Sequence, residues 1–341
     1  MRHINIPIFI PHLGCPNQCV FCNQKYISGK EIFDENNINL QISEVLSSVN
    51  VEDYCEIAFF GGSFTGIDRE LMLRLLDTAQ SYVNEGKVKA IRMSTRPDYI
   101  NDEIISILKN YTISAVEIGI QSFNDSVLNM CKRGHKVTDT ENAISLLKRA
   151  EISFVGQMMV GLPGSGPEDE ITCAKRICEY GAVGARIYPT VVFHNTELAD
   201  LTRNGKYTPL NIEEAINRSA EVFRIFVDNN VKCLRIGLCE SDNLHTDSSY
   251  FVGPNEPSLG EFVKSKFYLN SIFDKIRDSF SLQKAKSITI FCAKNLKSQI
   301  IGNKKRNIIE IRKEFGFEAV KVVEDELLST FEIKIKEGGI A

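Results

Sequence analysis

Cys15, Cys19 and Cys22 stand within eight positions of the stretch "IPHLGCPNQCVFCNQ", directly after the apolar run "INIPIFI". Their spacing is C-x3-C-x2-C, with no fourth cysteine close behind. Thiolates are the ligands that soft metals and iron–sulfur clusters select. Two chemistries fit such a loop. The three thiolates hold three irons of a [4Fe–4S] cluster and leave the fourth iron open, or they hold zinc with a nearby histidine, for which His12 is the local candidate. Structural zinc sites usually draw on two separated ligand pairs, so a single short loop argues for iron. Pro16 disfavours a helix here and lets the chain wrap a compact cluster. The chain has ten cysteines in all, and in a reducing compartment such a cluster points to metal before disulfide. Cys173 with Cys178, and Cys233 with Cys239, read as buried apolar residues.

Other polar residues gather where apolar runs end. In "FFGGSFTG", residues 59–66, Gly61 and Gly62 let the backbone approach a ligand or take a positive φ. In "STRPDYI", residues 94–100, Arg96 precedes Pro97 and is held extended. In "VEIGIQSFNDSVL", Glu117 and Gln121 share one face of a strand. A glutamate in an apolar strand is costly unless it is paired, which gives Glu117 a functional or hydrogen-bonded role. "KRGH" follows with Arg133, whose guanidinium suits a carboxylate, and with His135, which reads as a structural histidine. "RIYPTVVFHNTELADL" carries Arg186, Tyr188 and His194, and "CLRIGL" carries Arg235. These two arginines suit either an anion, whether a substrate or a cofactor carboxylate, or salt bridges that close the fold.

The elements that must position these residues repeat. Seven short apolar runs, from "INIPIFI" to "VKCLRIGL", alternate with amphipathic helical patterns over about 240 residues. Nearly continuous apolar strands, each followed by a helix, imply a parallel sheet covered on both faces. The expected fold class is α/β, a partial (β/α)6 barrel of the TIM type with a small C-terminal α+β module. A doubly wound sheet competes, but no G-x-G-x-x-G loop follows the first strand. The expected division is 1–245 for the barrel and 246–341 for the module.

Composition is ordinary for a globular protein: 341 residues, 43% hydrophobic, 25% charged and a net charge of −4. Residues 261–341 are mildly basic, with 16 Lys and Arg against 11 Asp and Glu, and could face a polyanion or simply water. No stretch approaches the roughly 20 apolar residues that span a bilayer, and the N-terminal run is too short and broken for a signal peptide. A cytoplasmic location with no membrane partner is expected.

The cysteine spacing, with Phe21 before the third thiol, resembles the signature of the radical S-adenosylmethionine (SAM) superfamily. The further set "GGSFTG", "STRPD", "KRGH", "MVGLPG", "IYPT" and "LRIGL" resembles the radical-SAM core of the Elongator catalytic subunit, which modifies wobble uridine in transfer RNA. "IGIQSFND" is similar to the oxygen-independent coproporphyrinogen oxidase group. The resemblance spans about residues 5–240. It implies an enzyme in which the open iron of the cluster binds SAM, and reductive cleavage yields a 5′-deoxyadenosyl radical. It also implies an electron donor such as flavodoxin or ferredoxin. Gly61, Gly62, Ser94, Glu117, Gln121, Arg133 and Val160 are then the expected SAM contacts, with Met159 or Val160 beside the adenine. Ser63 stands where the family's "GGE" motif has an acid. No acetyl-CoA pyrophosphate loop is evident, so acetyl transfer is not expected to carry over. For the substrate, the resemblance points to tRNA, while Arg186 and Arg235 keep a small anionic metabolite or tetrapyrrole open. A zinc-stabilised, non-catalytic binding barrel is the third reading.

Overall fold

A computed structural model describes residues 2–10, 14–15, 18–23, 33–50, 52–238 and 250–338. His12, Pro16 and Cys239 lie outside these residues. The strands are β1 His3–Ile10, β2 Tyr54–Gly61, β3 Ala90–Thr95, β4 Ile113–Gln121, β5 Phe154–Val160, β6 Gly184–Pro189, β7 Val192–Phe193, β8 Lys232–Ile236, β9 Tyr250–Val252, β10 Ser287–Cys292, β11 Ala319–Glu324 and β12 Ile333–Glu337.

Seven of them form one sheet in the order β1-β2-β3-β4-β5-β6-β8, and every neighbouring pair is parallel. The sheet is a curled half-barrel with helices between its strands, as the alternating sequence pattern requires. All seven apolar runs enter it, in sequence order. The sixth run divides after Pro189, a residue without an N–H to donate, and its remainder is the short β7. That strand pairs antiparallel with β9 in a separate sheet. β10, β11 and β12 make a third sheet in the order β11-β10-β12.

Alternation along each strand sorts the residues. Ile57, Met93, Ile118, Met158 and Ile187 are fully buried in the main apolar core, between the sheet and its helices. Their sequence neighbours Glu56, Arg92, Glu117, Gln157 and Arg186 point to the opposite, concave face. The helices present matching stripes. Ile212–Asp228 buries Ala215, Ser219, Val222, Phe223 and Phe226 at helical spacing, and a reciprocal capping box of Asn211 and Glu214 fixes its start. The same core takes in Phe267, Ile288, Ile290 and Ile333, so the C-terminal elements share apolar packing with the half-barrel. The expected boundary near residue 245 falls in 239–249, outside the described residues. Among the described residues no helix is long and apolar enough to cross a membrane.

Gly156 on β5 lets the Pro167–Glu179 helix lie close to the sheet: a Cβ there would stand 2.8 Å from Ile177 Cγ2. Gly156→Ala should therefore destabilise the protein by about 1–3 kcal/mol through overpacking, read as a lower urea midpoint with an unchanged m-value. An unshifted midpoint would show that the helix seats further out.

Candidate functional site

A cavity of about 660 Å³ opens at the C-terminal ends of the half-barrel strands, and Cys15, Cys19 and Cys22 all line it. The loop that carries them is anchored through its backbone. Val20 donates to Cys131 O at 3.1 Å and accepts from Leu198 N at 2.8 Å, and Cys22 N reaches Cys19 O at 3.0 Å. The Val20 side chain is buried in a second apolar cluster with Val127, Cys131, Leu162 and Leu198. Gly14 has φ +74, and a Cβ on it would lie 2.2 Å from Ser63 O. The thiol loop can approach the end of β2 only through glycine.

Burial pushes the Cys15 thiol up, against the opposing charges of Arg133 and Arg96. Burial, then the neighbouring Cys19 and Cys15, push Cys22 up to about 12, and Arg133 again opposes the rise. Arg133 Nη1 lies 3.5 Å from Cys19 Sγ and its Nη2 donates to Gly119 O at 3.0 Å. Arg96 is 2% exposed and grips Asp98 through Nε at 2.9 Å and Nη2 at 2.8 Å. Among the described residues the buried Arg133 Nε and Arg96 Nη1 have no hydrogen-bond partner. Among the described residues the three thiols are not drawn together as a formed metal site, but as soft donors on one cavity, with two guanidiniums holding unused N–H groups beside them, they suit an anionic metal–thiolate centre by their chemistry.

Six of the seven residues expected to contact a cofactor line the same cavity: Gly61, Gly62, Ser94, Glu117, Gln121 and Arg133. Gly61 takes φ +109 where β2 meets β1, and Gly62 N donates to Ile10 O at 2.9 Å. Gln121 takes φ +66 at a bulge where the β4–β5 register shifts between Gly119 and Gln121. A left-handed glutamine is strained, and such strain gathers at binding sites. Val160 is fully buried in the core. Its carbonyl accepts from Thr190 N at 2.8 Å and Thr190 Oγ1 at 2.9 Å, while its neighbour Met159 lies on the cavity wall.

Glu117 anchors the cavity floor. Arg186 donates to it through Nε at 2.7 Å and Nη2 at 2.9 Å, and Gln157 Nε2 through 2.8 Å. Arg92 Nη1 stands 3.5 Å from its other oxygen. Arg92 Nε also reaches Glu56 at 2.8 Å, and His3 Nε2 meets that same carboxylate at 2.8 Å. Of the two sequence readings of Arg186, the interior salt bridge is the one observed. Arg235 is exposed and donates to Leu238 O at 3.1 Å. His194 sits against Phe251 with ring centroids 5.2 Å apart.

Ser63, where an acid was the expected residue, is buried and its hydroxyl bonds Thr95 Oγ1 at 2.8 Å and Arg96 N at 3.2 Å. Thr65 joins the same Thr95 hydroxyl at 2.6 Å. Three hydroxyls thus tie the ends of β2 and β3 together. Sequence reasoning passed over Gln157, Phe9, Phe60 and Phe193, which also line the cavity. Gln157 carried the same signal as Glu117, a lone polar residue in an apolar strand. The aromatic residues carried none, since an apolar residue in a strand reads the same on either face.

His135 is buried beneath this region, not on the cavity wall. Burial, then the charges of Arg133 and Arg96, push it down to about 2, so it is neutral.

The radical SAM superfamily model matches residues 9–177, and the radical SAM C-terminal domain model matches residues 182–268. A tRNA uridine(34) acetyltransferase of Methanocaldococcus jannaschii is 33% identical over 181 residues, 47% of this chain and 34% of that protein. Elongator complex protein 3 of Saccharomyces cerevisiae is 27% identical over 51% of this chain and 35% of its own length. The chain thus spans about a third of the length of these relatives. Protein YhcC of Escherichia coli is 23% identical over 62% of this chain and 71% of its own. The structure of an Elp3 from Methanocaldococcus infernus, deleted at its N-terminus, superposes with a TM-score of 0.61 and 23% identity, over 81% of this chain and 63% of that one.

Two stability measurements test this geometry. Glu117→Gln removes the buried charge that Arg186 meets with two hydrogen bonds and should cost about 3–5 kcal/mol in urea unfolding. A loss below about 0.5 kcal/mol would show that the network is not structural. For His135, the unfolded imidazole titrates near 6.5 and the folded one near 2, so between these values the unfolded state binds more protons. Its contribution is intact above pH 6.5 and falls by up to about 1.4 kcal/mol per pH unit below it. His135→Gln should flatten the loss of stability between about pH 6.5 and 5, relative to the parent. Parallel acid limbs would place a charged imidazole in the fold.

Proposed function

We propose, for a chain that belongs to the radical SAM superfamily and is an enzyme of that class, that Cys15, Cys19 and Cys22 hold a [4Fe–4S] cluster with one iron open to SAM, and that the substrate is RNA. The observation that carries this reading is the convergence of the three thiols and six expected cofactor contacts on one cavity. When bound, the cluster and SAM supply a 5′-deoxyadenosyl radical by reductive cleavage of the sulfonium bond.

The protein's own residues bind, orient and keep out water. Gly61 and Gly62 bring backbone to the cavity wall without a Cβ. Arg133 sets a positive charge beside Cys19 Sγ at 3.5 Å, where the negative charge of a metal–thiolate centre would lie. Phe9, Phe21, Phe60 and Phe193 also line the space and exclude solvent that would quench a reactive species.

The aromatic wall supports a neutral planar substrate group over a polyanionic one. Of the cavity arginines, Arg186 is already bidentate to Glu117 and Arg96 to Asp98, and the unused N–H groups of Arg96 and Arg133 lie beside the thiols. A nucleobase suits such a wall, and the relatives named as tRNA-modifying enzymes support RNA as its source.

Anaerobic reconstitution tests the chemistry. The expected result is about four irons and four sulfides per chain, 5′-deoxyadenosine formed from SAM with dithionite, and loss of both in Cys22→Ala. A colourless protein with one zinc, or an active Cys22→Ala, would overturn the assignment. Added bulk tRNA should accelerate SAM cleavage, and an unaltered rate would count against the RNA substrate.

A further inference from the structure

The sheet β11-β10-β12 has two unlike faces. Ile288, Ile290, Val322 and Ile333 turn inward to the core. The alternate residues form two rows across the opposite face. Lys321, Thr289 and Lys336 are in register across the three strands, and Val323, Phe291 and Lys334 make the next row. All three lysines are exposed, and Thr289 and Phe291 are half-buried. Lys336 Nζ lies 5.5 Å from the centre of the Phe291 ring.

The charged residues that strand alternation puts on this face are lysines. By strand alternation Glu324 and Glu337 belong to the other face, and Glu324 there accepts from Asn295 N at 3.0 Å. Glu332 pairs with Lys334 at 3.6 Å. Among the described residues Lys321 and Lys336 are in no salt bridge.

Lysines on edge strands also deter sheet-to-sheet aggregation, and β11 and β12 are both edges. That role gives no place to an aromatic ring at the centre of the face on the middle strand. Lysines spaced to meet phosphates around a stacking ring are what a sequence-tolerant single-strand site requires.

We propose that the outer face of this sheet docks single-stranded RNA, with Lys321 and Lys336 on phosphates and Phe291 stacked on a base. The inference extends the RNA reading above to a surface outside the cavity.

The test is fluorescence anisotropy of a labelled oligouridylate with the full chain, across a salt series. Binding should weaken linearly with the logarithm of salt. Lys321→Glu with Lys336→Glu should weaken it at least tenfold and lower the salt slope by about 1–2. Phe291→Ala should weaken it about tenfold and leave the slope unchanged. The inference is overturned if the wild type does not bind, or if the variants bind as it does. It is also overturned if the lysine pair variant aggregates while retaining affinity, which would assign the lysines to edge protection. Equal binding of polyglutamate, insensitive to Phe291→Ala, would overturn it in favour of an acidic protein partner. SAM cleavage stimulated by tRNA is read separately, so a failure of this face leaves the RNA substrate standing or falling on its own result.

Discussion

A carboxylate without water around it must be paired, and Glu117 is fully buried. Arg186 meets it with two hydrogen bonds, and Gln157 and Arg92 approach from the intervening and preceding strands. The pairing links β4 to β6 across β5, and Glu56 extends it through Arg92 to β2. Breaking one member leaves an uncompensated charge, so the strands are held in one relative placement. That placement puts the strand ends, and hence Gly61, Ser94, Gln121 and the thiol loop, around one space.

Above the ionic floor the cavity is set by close backbone approach. Gly14 against Ser63 O, and Gly61 against Ile10 O, are contacts that a side chain would forbid. The hydroxyls of Ser63, Thr65 and Thr95 then join β2 to β3 without charge. An acid at position 63 would face Thr95 and the Arg96 amide in a buried setting, and serine meets both as a neutral group. Among the described residues, buried N–H groups of Arg133 and Arg96 are unused, and both guanidiniums act on the Cys15 thiol. The capacity they leave beside the thiols is donor capacity, which matches an anionic centre.

Much of the half-barrel was legible in the sequence because a parallel sheet covered on both faces writes its strands as apolar runs. The seven runs correspond to seven strands in order. What the sequence did not carry was the division of "GARIYPTVVF" at Pro189 and the pairing of its tail with β9. That pairing depends on a partner far along the chain. In the site, polar residues betrayed themselves by interrupting apolar strands, as Glu117 did. Val160 and Met159 differ by one position and by nothing in character, and only the strand's alternation decides which meets the cavity. The outer face of the C-terminal sheet was legible as an excess of lysine. Its geometry was not, because register alone puts Lys321, Thr289 and Lys336 in one row.

The backbone of Val20 bridges Cys131 and Leu198, so the thiol loop takes its position from segments synthesised long after it. A ribosome that has made the first strand and its three cysteines has not yet made the ground they rest on. Chains emerge and fold from the N-terminus onward, and here the earliest residues wait for the Glu197–Arg203 helix before the loop is fixed. A metal centre of the kind proposed for this loop would meet its final geometry only in a chain already made past Arg203.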